Sequence, residues 1–186
     1  MRFIKKLLVE LHDIDFFRVK EYNKYRSSEI TREENMIITF IGHSSLGQNL
    51  DLDNKIKFEI LKNIRENEKV FFYCGGYGDF DELCRRVCRN LQKENKNFEV
   101  VFVTPYITPS QQKKIEDYLL NGIYDSVVYP ELENTPMRFA ITNRNKWMIE
   151  RADLIIAYVE YEYGGAYKAF KYAYKKGKIV INLGRV

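Results

Sequence analysis

Cysteine is scarce in this chain of 186 residues: Cys74, Cys84 and Cys88 are all it has. So sparse and odd a set does not build a disulfide framework and points to a reducing, cytoplasmic compartment. Cys84 and Cys88 stand four apart on one face of an expected helix, beside Leu83, Val87 and Leu91, where thiols serve as small core hydrophobes. A metal site would need further ligands, and the only histidines, His12 and His43, are remote in sequence. Neither a metal nor a cofactor is expected. Long apolar runs are missing too, and none approaches the ~20 residues of a membrane helix. In the opening MRFIKKLLVELHD, Glu10, His12 and Asp13 interrupt a short apolar stretch, and no small-residue cleavage site follows, so it does not read as a signal peptide. Nor does charge of one sign accumulate. The formal net charge is +4, basic residues are interleaved with acidic ones, and there is no lysine–arginine stripe of the kind a dedicated nucleic-acid binder concentrates.

What is present is enough for a folded domain: 45% hydrophobic and 30% charged residues supply both a core and a wetted surface. From residue 36 onward, apolar runs alternate with segments of helical period. Strands are expected at MIITFIG (36–42), VFFYC (70–74), FEVVFVTP (98–105), more weakly near 123–128, and at LIIAYV (154–159) and KIVINL (178–183). Several run continuously apolar, as strands covered on both faces do. Helices are expected over 52–66, 79–94, 109–120, 137–151 and 165–176, with stripes such as Leu52, Ile56, Ile60 and Ile64 four apart. This alternation predicts an α/β fold, a Rossmann-like three-layer α/β/α sandwich with a mostly parallel sheet. Residues 1–35 break the rhythm. Phe3, Ile4, Leu7, Leu8 and Leu11 could form an amphipathic helix, so 1–35 read as an N-terminal extension and 36–186 as the domain.

Ligands of a parallel sheet bind beyond the carboxyl ends of its strands, and three turns there have suitable chemistry. Gly42-His43-Ser44-Ser45 follows the first strand, and its amides and hydroxyls could hold phosphate. In CGGYGDFDEL (74–83), Gly75, Gly76 and Gly78 cluster at a strand-to-helix turn. Of the acids behind them, Asp79 could cap the helix, and Asp81 could meet a ribose or a reacting group. In YEYGGAYKAF (161–170), Gly164 and Gly165 precede a helix with Ala166, Ala169, Phe170 and Ala173 on its inner face, while Glu160 and Glu162 suit ribose hydroxyls. Arg144 falls in the middle of an apolar stripe of Ala140, Ile141, Trp147 and Met148, beside Asn145. A guanidinium there needs an anionic partner: Asp153, another internal carboxylate, or a ligand phosphate. The expectation is that the turns at 42–45, 75–79 and 163–166 converge on one cleft into which Arg144 reaches.

The pattern of GH-S (42–44), FFYCGGYGDFD (71–81), VFVTP (101–105), RNKWM (144–148) with ADLIIAYV (152–159), and GGAYKAFKYA (164–173) before GKIVINL resembles the SLOG superfamily. That superfamily unites the LOG-type ("lonely guy") phosphoribohydrolases with the Rossmann domain of DNA-processing protein A, and the chain most resembles its small bacterial SLOG members. The resemblance spans residues 36–183 and implies a nucleotide-derived ligand and, frequently, a homodimer. LOG enzymes cleave the N-glycosidic bond of nucleoside 5′-monophosphates with an arginine in M-x-x-R-K and a glutamate in P-G-G-x-G-T-x-x-E. The arginine carries over onto Arg144. The glycines carry over onto Gly164-Gly165-Ala166, which puts Ala169 where the family keeps its glutamate. Asp81 or Glu131 could substitute for that acid. The leading expectation is therefore a module that binds a nucleotide or an ADP-ribose-like ligand. The alternatives are a divergent LOG-like N-glycosidase using Arg144, Asp81 and Glu131, and a single-stranded DNA binder using its fourteen tyrosines with Lys113 and Lys114.

Overall fold

The computed structural model describes residues 35–47, 51–130, 132 and 134–186. Apart from Asn35, the expected N-terminal extension lies outside the described residues, and so does Glu131. Six strands and five helices alternate along the described chain: β1 (Asn35–Gly42), α1 (Leu52–Asn63), β2 (Lys69–Cys74), α2 (Asp79–Glu94), β3 (Phe98–Val103), α3 (Pro109–Leu120), β4 (Ser126–Val128), α4 (Met137–Arg151), β5 (Leu154–Tyr158), α5 (Gly164–Lys175) and β6 (Ile179–Asn182). The first helix ends at Asn63, three residues short of the expected end, because Ile64 has already turned to extended backbone.

The sheet runs β4-β3-β2-β1-β5-β6 with every pair parallel. From β1 the chain steps outward through β2, β3 and β4, then returns to lay β5 against the other side of β1. The reversal fixes the layers. Alternate residues of a strand face opposite sides, and here Ile38, Phe40, Val70, Phe72, Val100, Leu154 and Ile156 join α1 and α2 in one core. Ile41, Ile155, Ala157 and Val159 point the other way and pack with Ile149 of α4 and with Phe170 and Ala173 of α5. The protein is a three-layer α/β/α sandwich with a Rossmann-like parallel sheet. Full burial of side chains such as Ile38, Ile56, Phe72 and Ile156 contributes about 1.5–3 kcal/mol apiece.

Local chemistry matches each element. The buried residues of α2, Phe80, Cys84, Val87, Cys88 and Leu91, recur at three- and four-residue intervals, and Asp79, Asp81 and Glu82 fill its positive first turn. All three cysteines are free and buried. Thr108 caps α3 by accepting the Gln111 amide at 3.2 Å, and Pro109 opens the helix. At α5 no side chain among the described residues caps the first turn, which leaves its leading amides open.

Asp153 does not serve Arg144. Its carboxylate accepts the Ile37 amide at 2.8 Å, and its own amide donates to the Ile37 carbonyl at 2.8 Å, which locks β5 to β1 in register. The apolar stripe on α4 also differs from expectation at two positions: Ala140, Arg144 and Met148 are buried, whereas Trp147 is half-buried and Ile141 is 37% exposed. The helix turns Ile141 toward an opening instead of a covered face. Among the described residues, no helix is long and apolar enough to cross a membrane.

Candidate functional site

The point where the strand order reverses, between β1 and β5, leaves a crevice at the carboxyl end of the sheet, since the loops after these two strands depart toward opposite faces. A cavity of about 400 Å³ occupies it. Gly42, His43 and Ser44 line it from the turn after β1, Gly75 and Tyr77 from the turn after β2, and Tyr163 with Gly164, Gly165 and Ala166 from the start of α5. Asp81 of α2, Ile141, Arg144, Asn145 and Met148 of α4, Ala169 of α5, and Phe40 and Ile41 of β1 complete the lining. The three turns therefore meet on one cavity.

Several expected residues stand outside the lining: Ser45, Gly76, Gly78, Asp79 and Glu162. Asp79 accepts the Leu46 amide at 3.1 Å through Oδ2, and its own amide donates to the Ser44 carbonyl at 2.9 Å. It thus ties the β1 turn to the β2 turn instead of capping α2 through its side chain. Gly78, at φ +94°, makes this contact possible, because a Cβ there would lie 2.6 Å from Ser44 Cα. Glu162 is exposed, and Glu160 sits 4.0 Å from Arg185. His43 has a second duty, for its Nε2 accepts the Glu160 amide at 3.1 Å and so joins the β1 turn to the β5 turn. Lys113 and Lys114 are exposed on α3 and do not line the cavity.

Arg144 lies in the cavity floor and is only 1% exposed. Nη1 donates to the Val103 carbonyl at 3.1 Å and lies 3.9 Å from Met148 Sδ. The Tyr77 ring lies 5.4 Å from the guanidinium carbon, a cation–π arrangement. Nε is buried with no partner, and Arg144 forms no direct ion pair among the described residues. Burial pulls its pKa below the ordinary value, and the nearby Asp81 carboxylate partly offsets this. Asp81 is displaced the opposite way. Burial raises its carboxyl above the usual carboxylate range, opposed by Arg144 and by the Tyr77 amide, which donates to Oδ2 at 2.9 Å. A buried cation and a half-buried carboxylate thus share one floor without closing on each other. Among the described residues, no group of three or more His, Cys, Asp or Glu side chains is placed to hold a metal.

Tyr77 and Tyr163 were not among the residues expected from sequence. Both sit beside glycines in turns, GGYGD and YEYGG, where an aromatic has no core to enter; that neighbourhood is the signal that marks them. Tyr163 stacks on Tyr161 with centroids 5.5 Å apart and planes at 22°, and Tyr161 lies 5.2 Å from the His43 ring. The row borders the cavity, with His43 and Tyr163 in its lining and Tyr161 between them, and Tyr161 and Tyr163 are 50% and 70% exposed.

No family model matches the chain, and no curated protein matches it, so membership of the SLOG superfamily stays a resemblance. Solved structures do match. DNA processing protein A from Helicobacter pylori, whose structure is described as revealing a single-stranded DNA binding mode, superposes with a TM-score of 0.55 at 16% identity, over 83% of this chain and 67% of that one. DNA processing protein A from Streptococcus pneumoniae gives 0.53 at 14% identity, over 79% of this chain and 50% of that one. This chain spans half the length of the streptococcal protein. At these identities the likeness is one of fold, and the chain shares the Rossmann-like fold found in DNA processing protein A.

Proposed function

We propose that the cleft binds single-stranded DNA, seating one nucleotide of the strand between the three turns. The observation that carries this reading is the row of rings His43, Tyr161 and Tyr163 bordering a cavity at the strand-order reversal. Unpaired bases stack on such rings whatever their identity. The uncapped amides that open α5 suit backbone phosphates, and the same helix carries exposed Lys168 and Lys171. The fold shared with a protein described as binding single-stranded DNA supports the reading. The test is fluorescence anisotropy with a labelled oligothymidylate across a salt series. Binding that weakens linearly in log–log form with salt is expected, with a duplex of equal length bound less tightly. Failure to bind at low salt would remove the proposal.

A second reading is a free nucleotide-derived ligand, a nucleoside monophosphate or an ADP-ribose-like molecule. The ~400 Å³ volume of the cavity, within the usual range for small-ligand pockets, and the even mixture of surface charge favour it. A melting shift with AMP or ADP-ribose and none with oligonucleotide would select it. Release of free base would extend it to LOG-like hydrolysis, for which Ala169 supplies no carboxylate and Asp81 is the acid lining the cavity among the described residues.

A further inference from the structure

The cavity floor contains an acceptor that DNA can satisfy in only one way. Asp81 Oδ2 is held by the Tyr77 amide, and Oδ1 has no protein partner among the described residues. Arg144 beside it forms no direct ion pair, although its Nη1 and Asp81 Oδ2 would lie 2.2 Å and 2.8 Å from a Cβ on Gly75. An ionised carboxylate only accepts hydrogen bonds. Phosphate oxygens and the deoxyribose ether oxygen also only accept, so within a DNA strand the donors available to Asp81 are N–H groups on base edges. On the Watson–Crick edge those hydrogens, thymine N3–H among them, are free when the base is unpaired and engaged when it is paired. A phosphate in the same place would meet the carboxylate as a like charge.

We infer that Asp81 is a specificity-determining residue that accepts a hydrogen bond from the Watson–Crick edge of an unpaired base inserted into the cleft, with Arg144 compensating its charge from below. The inference rests on the DNA reading and makes that reading selective for single strands. Raising of the Asp81 carboxyl by burial marks the same oxygens as poorly solvated and in need of a donor.

Thymine has its one N–H donor at N3, so the probe is an oligothymidylate compared with the same oligomer carrying N3-methylthymine. The unmodified protein should bind the methylated oligomer roughly tenfold or more weakly, the scale of a hydrogen bond to a charged group. In Asp81→Asn, the Tyr77 amide claims the side-chain carbonyl and turns the NH2 group to the ligand. Oligothymidylate affinity should then fall, and the penalty for methylation should vanish. If that variant does not fold, Asp81→Ala makes the same comparison. Equal binding of both oligomers by the unmodified protein would overturn the inference and leave DNA binding intact. A methylation penalty that persists in the variant would overturn it as mere crowding. If neither oligomer binds, the DNA reading itself has failed and takes the inference with it.

Discussion

Gly75 and Arg144 compete for the same space: a methyl carbon on Gly75 would lie 2.2 Å from Arg144 Nη1. The bare backbone at the end of β2 lets a guanidinium from the opposite layer slide beneath the sheet edge and reach the Val103 carbonyl of β3. The same absent side chain admits Asp81 Oδ2, which a methyl would approach to 2.8 Å. One glycine thereby sets the distance between the two charges of the floor.

Gly75→Ala should consequently damage both stability and binding. Overpacking of this kind costs about 1–3 kcal/mol, visible as a lowered midpoint in chemical denaturation, and displacement of Asp81 and Arg144 should weaken oligothymidylate binding in the same samples. Gly47→Ala, where an added Cβ meets nothing within 4 Å among the described residues, is the matched control and should change neither.

Arg144→Met should fold. A side chain of similar volume keeps the floor packed, and the cost is that the Asp81 carboxylate loses its compensating charge. The expected result is a folded protein destabilised by about 1–3 kcal/mol, together with ligand affinity reduced about tenfold. A collapsed fold with no separate loss of binding would assign Arg144 a structural role alone.

Asp81 gives the stability curve a definite slope. Its carboxyl titrates above the ordinary 3.8 because of burial, so the folded chain holds that proton more tightly than the unfolded one. The resulting stabilisation is present at low pH and lost as pH rises from 3.8 through the folded value. Asp81→Asn removes this pH dependence. Denaturation midpoints of the variant and its parent should diverge in the variant's favour across that interval and run parallel above it.

Tyr163→Ala should spare the fold, since the ring is 70% exposed, and should weaken single-strand binding by about 1–3 kcal/mol, the contribution of one stacked base. Tyr174→Ala, equally free to tolerate truncation at 56% exposure on α5 and absent from the cavity lining, should leave binding unchanged. Paired melting and anisotropy measurements decide both.

The sheet was legible because its strands are covered on both faces and therefore read as unbroken apolar runs, as at Val100–Val103 and Leu154–Tyr158. The helical stripe on α4 exposed Arg144 as an oddity for the same reason: a charge at a buried position stands out against its period. The partners of these residues were not legible. Nothing in the spacing says that Asp153 faces the Ile37 amide 116 positions away, or that Asp79 serves Leu46 33 positions away. Such pairings are set by which strands become neighbours, and the sequence pattern of each element is indifferent to that order. Which glycine of 75, 76 and 78 meets the ligand space was likewise decided by the close approach of Arg144 and Ser44, both distant in the chain.

The bonds from Asp79 to Leu46 and Ser44, and from the Glu160 amide to His43, have a practical consequence for protein engineering. The three turns are pinned to one another, so none is a modular cassette. A transplant that replaces 42–46 with a foreign loop strands the Asp79 carboxylate and orphans the Glu160 amide, and the graft must import 74–79 and the start of 159–163 with it. Evolution of new ligands on this scaffold is accordingly constrained to concerted exchange of all three, or to side chains on the helices behind them.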